Sequence, residues 1–306
     1  MTTLVFGHKS PDTDSTGSPV IWAWYLNEIK GEKAEAVFLG EPNTEAAFVL
    51  EKWSCPKPRI VTEFDAGQKV VIVDTNNPAE LPANINDLDI TAIIDHHKLV
   101  GGLETSGPID ITIRPLACTA TIMVDLMGDD ADKMPDWVKG MVLSCILSDT
   151  LEFRSPTTTD VDRALAEKLV GELNLDMAAY ASEMFEAKSD VAAFSDAELI
   201  RMDSKEYTVG TTALRVSVLE TTAPKLILDR KDSLMAAMPA VAAEDGANEV
   251  LLFVVDILNE EATLLVPNDT VKQIAEASFG CTVTGDTVVL AGVMSRKKQI
   301  MPNLKA

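Results

Sequence analysis

Histidine, cysteine and basic side chains are all scarce in this 306-residue chain, and each shortage excludes something. There are three histidines, four cysteines, and 26 lysines and arginines against 48 aspartates and glutamates, a formal net charge of −22. That acidity opposes non-specific attraction to nucleic acid or to an anionic membrane. Aromatics at 5% leave no aromatic-basic track on which single-stranded bases would stack. Cys55, Cys118, Cys145 and Cys281 form no CxxC pair and sit among apolar neighbours, so neither a disulfide framework nor a thiolate zinc site is expected. No apolar run approaches the roughly 18 to 20 residues that span a bilayer. The first strand candidate starts at Thr3, which leaves no place for a cleavable leader. A soluble cytoplasmic protein without nucleic-acid or membrane partners is therefore expected. With 46% hydrophobic residues the chain can bury a large core, and its length suits two domains better than one.

What is present is an alternation of periods. Short β-rich runs at Thr3–Phe6, Ala36–Leu39, Val70–Val73, Thr91–Ile94 and Ile109–Ile113 are separated by helical stretches that include Val20–Ile29 and Glu45–Trp53. This is the pattern of βα units and a largely parallel sheet. Gly17 and Pro19 stand where the first helix is expected to open. Four helical stretches follow, Ala117–Met127, Pro135–Leu147, Thr159–Val170 and Asp176–Phe185, with Thr158 or Thr159 as a cap. The periodicity fades across 186–196, and a second α/β pattern begins near Ala197. Its strand candidates are Thr208–Leu219, Val250–Leu258, Ala262–Val266 and Thr287–Val293, with helices at Asp232–Glu244 and Asp269–Ala277. The expected fold class is α/β. A larger domain over 1–187, with a mainly parallel sheet flanked by helices, leads through a connection at 188–195 to a smaller mixed α/β domain at 196–306.

All three histidines fall in two acid-rich segments, His8-Lys9-Ser10-Pro11-Asp12-Thr13-Asp14 and Asp95-His96-His97, each just after a strand candidate. Asp74 ends the Val70–Val73 run, and Asp149 follows the apolar stretch from Met141 to Ser148. Open α/β sheets place their chemistry at that edge. Taken singly, Asp12 and Asp14 read equally well as loop caps, and Asp74 and Asp149 as ordinary acids at element ends. Together they supply the mixture of imidazole nitrogen and carboxylate oxygen that suits manganese or cobalt. His8, Asp12 and Asp74 would surround one ion; Asp14, Asp74, His96 and Asp149 the other, with Asp74 shared. Because successive side chains on a strand alternate faces, His96 is assigned to the metal and His97 to the substrate or its leaving oxygen. Asp95 would orient a neighbour. Two ions roughly 3.5 to 4 Å apart lower the pKa of a shared water and hold the resulting hydroxide against its target. Ser295-Arg296-Lys297-Lys298-Gln299 is the densest basic cluster in the acidic chain, and it points to local reception of a small multivalent anion.

These segments, with Val73-Asp74, Ser148-Asp149-Thr150 and Pro115-Leu116-Ala117-Cys118-Thr119-Ala120-Thr121, resemble the motif set of the manganese-dependent family II inorganic pyrophosphatases, within the DHH phosphoesterases. The resemblance runs over essentially the whole chain. It implies a homodimeric cytoplasmic enzyme that hydrolyses pyrophosphate to two orthophosphates, with two manganese ions per subunit, cobalt able to replace them, and magnesium arriving with the substrate. It also implies an active site in the cleft between the domains and dimerisation through the first. The metal roles fall on the six residues already chosen, and His97, Lys205, Arg296 and Lys297 match phosphate-contacting residues. Lys205 has no motif weight without the resemblance. No regulatory insertion stands between the helical part of the first domain and the connection. Another DHH phosphoesterase, acting on polyphosphate or a short oligonucleotide, would share the dinuclear pattern, and a non-catalytic metal-binding scaffold is the remaining alternative. The net charge and the Arg-Lys-Lys cluster favour a small compact anion over both.

Overall fold

The computed structural model describes residues 2–305, which form two compact units that divide between Lys188 and Ser189. In the first unit, strands β1 (Thr3–Phe6), β2 (Ala34–Ala36), β3 (Lys69–Val73), β4 (Asp89–Asp95) and β5 (Asp110–Ile113) make a sheet in the order β2-β1-β3-β4-β5. Every pairing in it is parallel. The order reverses between β1 and β3, so the chain leaves these two neighbours toward opposite sides and opens a crevice at their carboxyl ends. His8 follows β1 and Asp74 follows β3. Helices α1 (Thr13–Trp24), α2 (Thr44–Lys52), α3 (Thr119–Met127), α4 (Asp136–Thr150), α5 (Asp160–Leu173) and α6 (Met177–Lys188) complete the unit. Both faces of β3 are covered, which is why Val70–Val73 reads as an uninterrupted apolar run.

Two sequence expectations need correction here. The first helix opens at Thr13, seven positions before Val20, because the Asp12 side chain accepts the Ser15 N–H and caps it. Gly17 and Pro19 therefore lie inside α1. Gly17 is there for packing: a Cβ would run into the Cys145 sulfur on α4. Strand β2 ends at Ala36, and Val37 to Leu39 continue as buried chain with one bridge, from Phe38 to Ile60. Elsewhere the elements stand close to where they were expected, and Thr159 is the cap of α5, in a capping box with Asp162.

The second unit contains α7 (Asp196–Met202), β6 (Ser204–Val209), β7 (Thr212–Thr221), α8 (Pro224–Leu228), α9 (Lys231–Glu244), β8 (Glu249–Asp256), β9 (Glu261–Leu265), α10 (Asp269–Phe279) and β10 (Thr287–Ala291). Its sheet, ordered β10-β9-β8-β7-β6, is mixed: β7 and β8 run parallel and the other pairs antiparallel. The single strand expected over Thr208–Leu219 is a hairpin, turning at Gly210 with φ +61°. Along β8 the side chains alternate between two cores. Leu251, Phe253 and Val255 join α10 residues Val271, Ile274 and Ala275, whereas Val250, Leu252 and Val254 join Leu234, Met238 and Val241 of α9. Each such fully buried aliphatic side chain contributes about 1.5 to 3 kcal/mol. Among the described residues no helix is long and apolar enough to cross a membrane. The four cysteines are free, with Cys118 and Cys145 buried.

Candidate metal centre

Four stretches of the first unit, those that follow β1, β3 and β4 and the last turn of α4, converge at the switch point. Gly7 joins β1 to His8 at a place where a Cβ would strike the Ser15 hydroxyl, and the same hydroxyl accepts the His8 N–H at 2.8 Å. The loop is thereby clamped onto the first turn of α1. Asp12 spends Oδ1 on capping that helix, which leaves Oδ2 facing His8 Nε2 at 3.7 Å. Asp14, one turn in, is completely buried. It accepts the Thr119 and Ala120 N–H groups at 2.6 and 3.3 Å, the free amides at the start of α3, and the Ser18 hydroxyl at 2.9 Å.

Asp74 sits in the left-handed region, φ +58°, immediately after β3, with its own N–H bonded to the Ile94 carbonyl at 2.9 Å. A non-glycine residue held there stores strain of roughly 1 to 3 kcal/mol, and such strain gathers at functional sites. The turn aims its carboxylate into the crevice. Oδ2 lies 3.6 Å from His8 Nε2, Oδ1 lies 3.4 Å from His96 Nε2, and Oδ1 also accepts the Thr119 hydroxyl at 3.1 Å. His96 uses Nδ1 against the Leu116 carbonyl at 3.2 Å; that contact assigns the proton to Nδ1 and leaves the Nε2 lone pair pointing inward, toward Asp74 and, at 3.9 Å, Asp149. Asp149 arrives from the last turn of α4.

Asp95 and His97 are turned to a different task. Asp95, fully buried, accepts the His97 N–H at 3.0 Å, His97 Nδ1 at 2.9 Å and Asn76 Nδ2 at 2.6 Å. Burial opposes its charge, but the bonds from His97 and Asn76 hold the carboxyl below its ordinary range. The hydrogen bond to Asp95 raises His97 in return, with burial working the other way. His97, half-exposed at the mouth, leans toward the cation and is suited to meet an anion.

The electrostatics fit a site for divalent cations. Asp74 is pushed well above the carboxylate range by burial and by the negative charges of Asp14, Asp12 and Asp149; Asp149 is pushed up by burial and by Asp14 and Asp12. Asp12 is held low: burial opposes its charge, and the hydrogen bonds from the His8 imidazole and the Ser15 N–H outweigh it. Positive charge placed among these carboxylates would offset the repulsion that Asp74 and Asp149 experience. The donors fall into overlapping groups whose ligand atoms lie within 4.8 Å of one another: His8, Asp12 and Asp74; Asp14, His96 and Asp149; and Asp74, His96 and His97. A cavity of about 620 Å³ opens onto Asp12, Asp74, His96, His97 and Asp149.

In the second unit, Lys205 on β6 and Arg296 and Lys297 line one cavity of about 720 Å³ with Asp203 and Ser295. Arg296 is held by Asp203 through its carbonyl, at 2.8 Å from Nη1, and its carboxylate, at 2.7 Å from Nη2. Gln299 folds the basic segment by accepting the Met294 and Ser295 N–H groups, both at 2.9 Å. Lys298 does not line the cavity. The structure thus gathers six of the ten expected residues around Asp74, sets His97 at their edge, and groups the remaining three in the second unit. Sequence reasoning missed the supporting partners: Thr119, Ser15, Ser18, Asn76 and the Leu116 carbonyl. Only the segment Pro115–Thr121 carried any signal of them.

Comparison with known proteins agrees with this geometry. The model of the DHH family N-terminal domain matches residues 2–148, and that of the DHHA2 domain matches 182–306. The chain is 41% identical over 307 residues to the "Probable manganese-dependent inorganic pyrophosphatase" of Deinococcus radiodurans, covering 98% of this chain and 97% of that one. A protein of the same name from Lactobacillus helveticus is 33% identical over 303 residues, with the same coverage. A candidate family II inorganic pyrophosphatase of Methanococcus jannaschii, known from its crystal structure, superposes with a TM-score of 0.61 at 31% identity, covering 99% of this chain and 98% of that one. An exopolyphosphatase-related protein of Bacteroides fragilis, TM-score 0.50 at 12% identity over 98% of this chain and 89% of its own, shares the fold.

Proposed function

The chain belongs to the manganese-dependent inorganic pyrophosphatases of the DHH superfamily, family II, and on that premise we propose that its acidic crevice hydrolyses inorganic pyrophosphate to two orthophosphates. The observation that carries the reading is the ring of mutually facing carboxylates, Asp12, Asp14, Asp74 and Asp149, closed by two imidazole nitrogens. We assign His8, Asp12 and Asp74 to one divalent ion and Asp14, Asp74, His96 and Asp149 to a second. The metal is manganese, two ions per subunit, with cobalt able to replace it and magnesium accompanying the substrate. Bound there, a pair of such ions supplies Lewis acidity and a nucleophile from water at neutral pH.

The chain's own groups do the rest. Asp74 offers one oxygen to each side, so it sets the spacing of the two positions. The Leu116 carbonyl and the Thr119 hydroxyl fix the His96 ring and the Asp74 carboxylate before anything binds, which avoids reorganisation during the reaction. His97, carried toward the cation by Asp95, stands where it can donate to a phosphoryl oxygen as charge moves onto the departing phosphate. Arg296 offers the planar edge of a guanidinium already oriented by Asp203, and Lys205 and Lys297 add compact charge. We assign these three to contact with phosphate oxygens. The working enzyme is a homodimer through the first unit, and it acts in the cytoplasm.

The test compares manganese-activated phosphate release from pyrophosphate, long-chain polyphosphate and a short single-stranded oligonucleotide. Pyrophosphate is expected to be the preferred substrate. A preference for either longer substrate overturns the assignment.

A further inference from the structure

We propose that Glu45 and Lys188 are positioning residues for Asp149: a charge pair between a buried carboxylate and an exposed lysine that fixes the last turn of α4 and ties it to the point where the chain leaves the first unit. The inference rests on the two-ion reading of the site. Glu45 lies in the first turn of α2 and is completely buried. Its Oε2 accepts the Ser148 hydroxyl at 2.9 Å and lies 3.2 Å from Lys188 Nζ; its Oε1 has no protein partner among the described residues. A buried carboxylate is costly unless it is paired, so the charge of Glu45 depends on the two groups gathered at one oxygen. One of those groups is the residue immediately before Asp149. The other is the last residue of α6, next to Ser189, where the second unit begins.

Three helices, α2, α4 and α6, therefore meet at a single atom beside the crevice. Breaking the pair releases the Ser148 turn, and Asp149 is carried on that turn. A second bridge between α2 and α6, Lys52 to Glu183 at 2.6 Å, provides an internal comparison because neither partner is on α4.

The experiment uses full-length protein loaded with manganese alone, with two readouts: manganese retained after gel filtration, and the electron paramagnetic resonance signature of two coupled ions. K188M and E45Q are each expected to weaken retention roughly tenfold, the low end of the effect of groups that orient a metal ligand. The coupled spectrum should give way to that of isolated ions, and K188R should restore most of it. K52M should behave as the wild type. If E45Q does not fold, S148A removes only the hydroxyl and is expected to act in the same direction. Wild-type coupling and retention in K188M, with E45Q or S148A equally unaffected, overturn the proposal. So does a loss in K52M as large as in K188M, because it would reduce the pair to general helix packing. A wild-type protein without coupled manganese overturns the two-ion reading itself, and the inference with it.

Discussion

Asp74 faces both His8 and His96 and is held from behind by Thr119. Its raised proton affinity arises because burial and three neighbouring carboxylates oppose its charge, and the same field favours a cation beside it. D74N keeps the shape and removes the charge. Manganese retention is expected to fall more than roughly a hundredfold, beyond the range of changes to supporting groups, and turnover with it. R296A is expected to separate the two properties. It should lower turnover roughly a hundredfold, as loss of a group stabilising developing charge does, while manganese retention stays at the wild-type level. Loss of tightly bound metal in R296A would contradict the role given to the arginine. At this scale the six acidic and imidazole residues were legible, because ionisable side chains that end apolar runs are costly without a purpose. Thr119 was not legible: it stands 45 positions from Asp74 and 105 from Asp14, and a hydrogen bond at that separation leaves no local pattern.

The elements explain both what was read correctly and what was not. Strands β1, β3 and β4 were visible as β-branched runs because both of their faces are covered. The start of α1 was hidden, since Gly17 and Pro19 imitate a helix opening while Asp12 caps it five positions earlier than Gly17. Gly17 allows α1 to approach α4, and with them Asp12, Asp14 and Asp149 come together. G17A is therefore expected to destabilise the protein by about 1 to 3 kcal/mol through overpacking against Cys145, read as a lowered midpoint of denaturant unfolding. In the second unit, Arg201 on α7 and Arg215 on β7 both hold Asp245 at the end of α9, the former at 3.1 Å and the latter at 2.6 Å. The hydrogen bond from Arg201, chiefly, holds Asp245 below its ordinary value of 3.8. A depressed folded-state value means the contribution is present above the unfolded value and lost as pH falls through the folded one. The unfolding midpoints of wild type and D245N should thus differ at neutral pH and converge below about pH 4. A constant difference across that range would contradict the assignment. The end of β6 and most of β7 were read as one strand because Gly210 is the sole punctuation between Thr208-Val209 and Thr211-Thr212, all strand-favouring.

Taken whole, the molecule is acidic almost everywhere and basic in one short segment, with a net charge of −22. A multivalent anion is received under such a field only where positive charge is local, and in the second unit Lys205, Arg296 and Lys297 gather it around one cavity. The most direct measurement is diffraction from manganese-grown crystals at the manganese absorption edge. Two anomalous peaks per chain are predicted, roughly 3.5 to 4 Å apart, one beside His8 and Asp12, the other beside Asp14, His96 and Asp149, with Asp74 touching both. A single peak, or peaks away from these side chains, would contradict it.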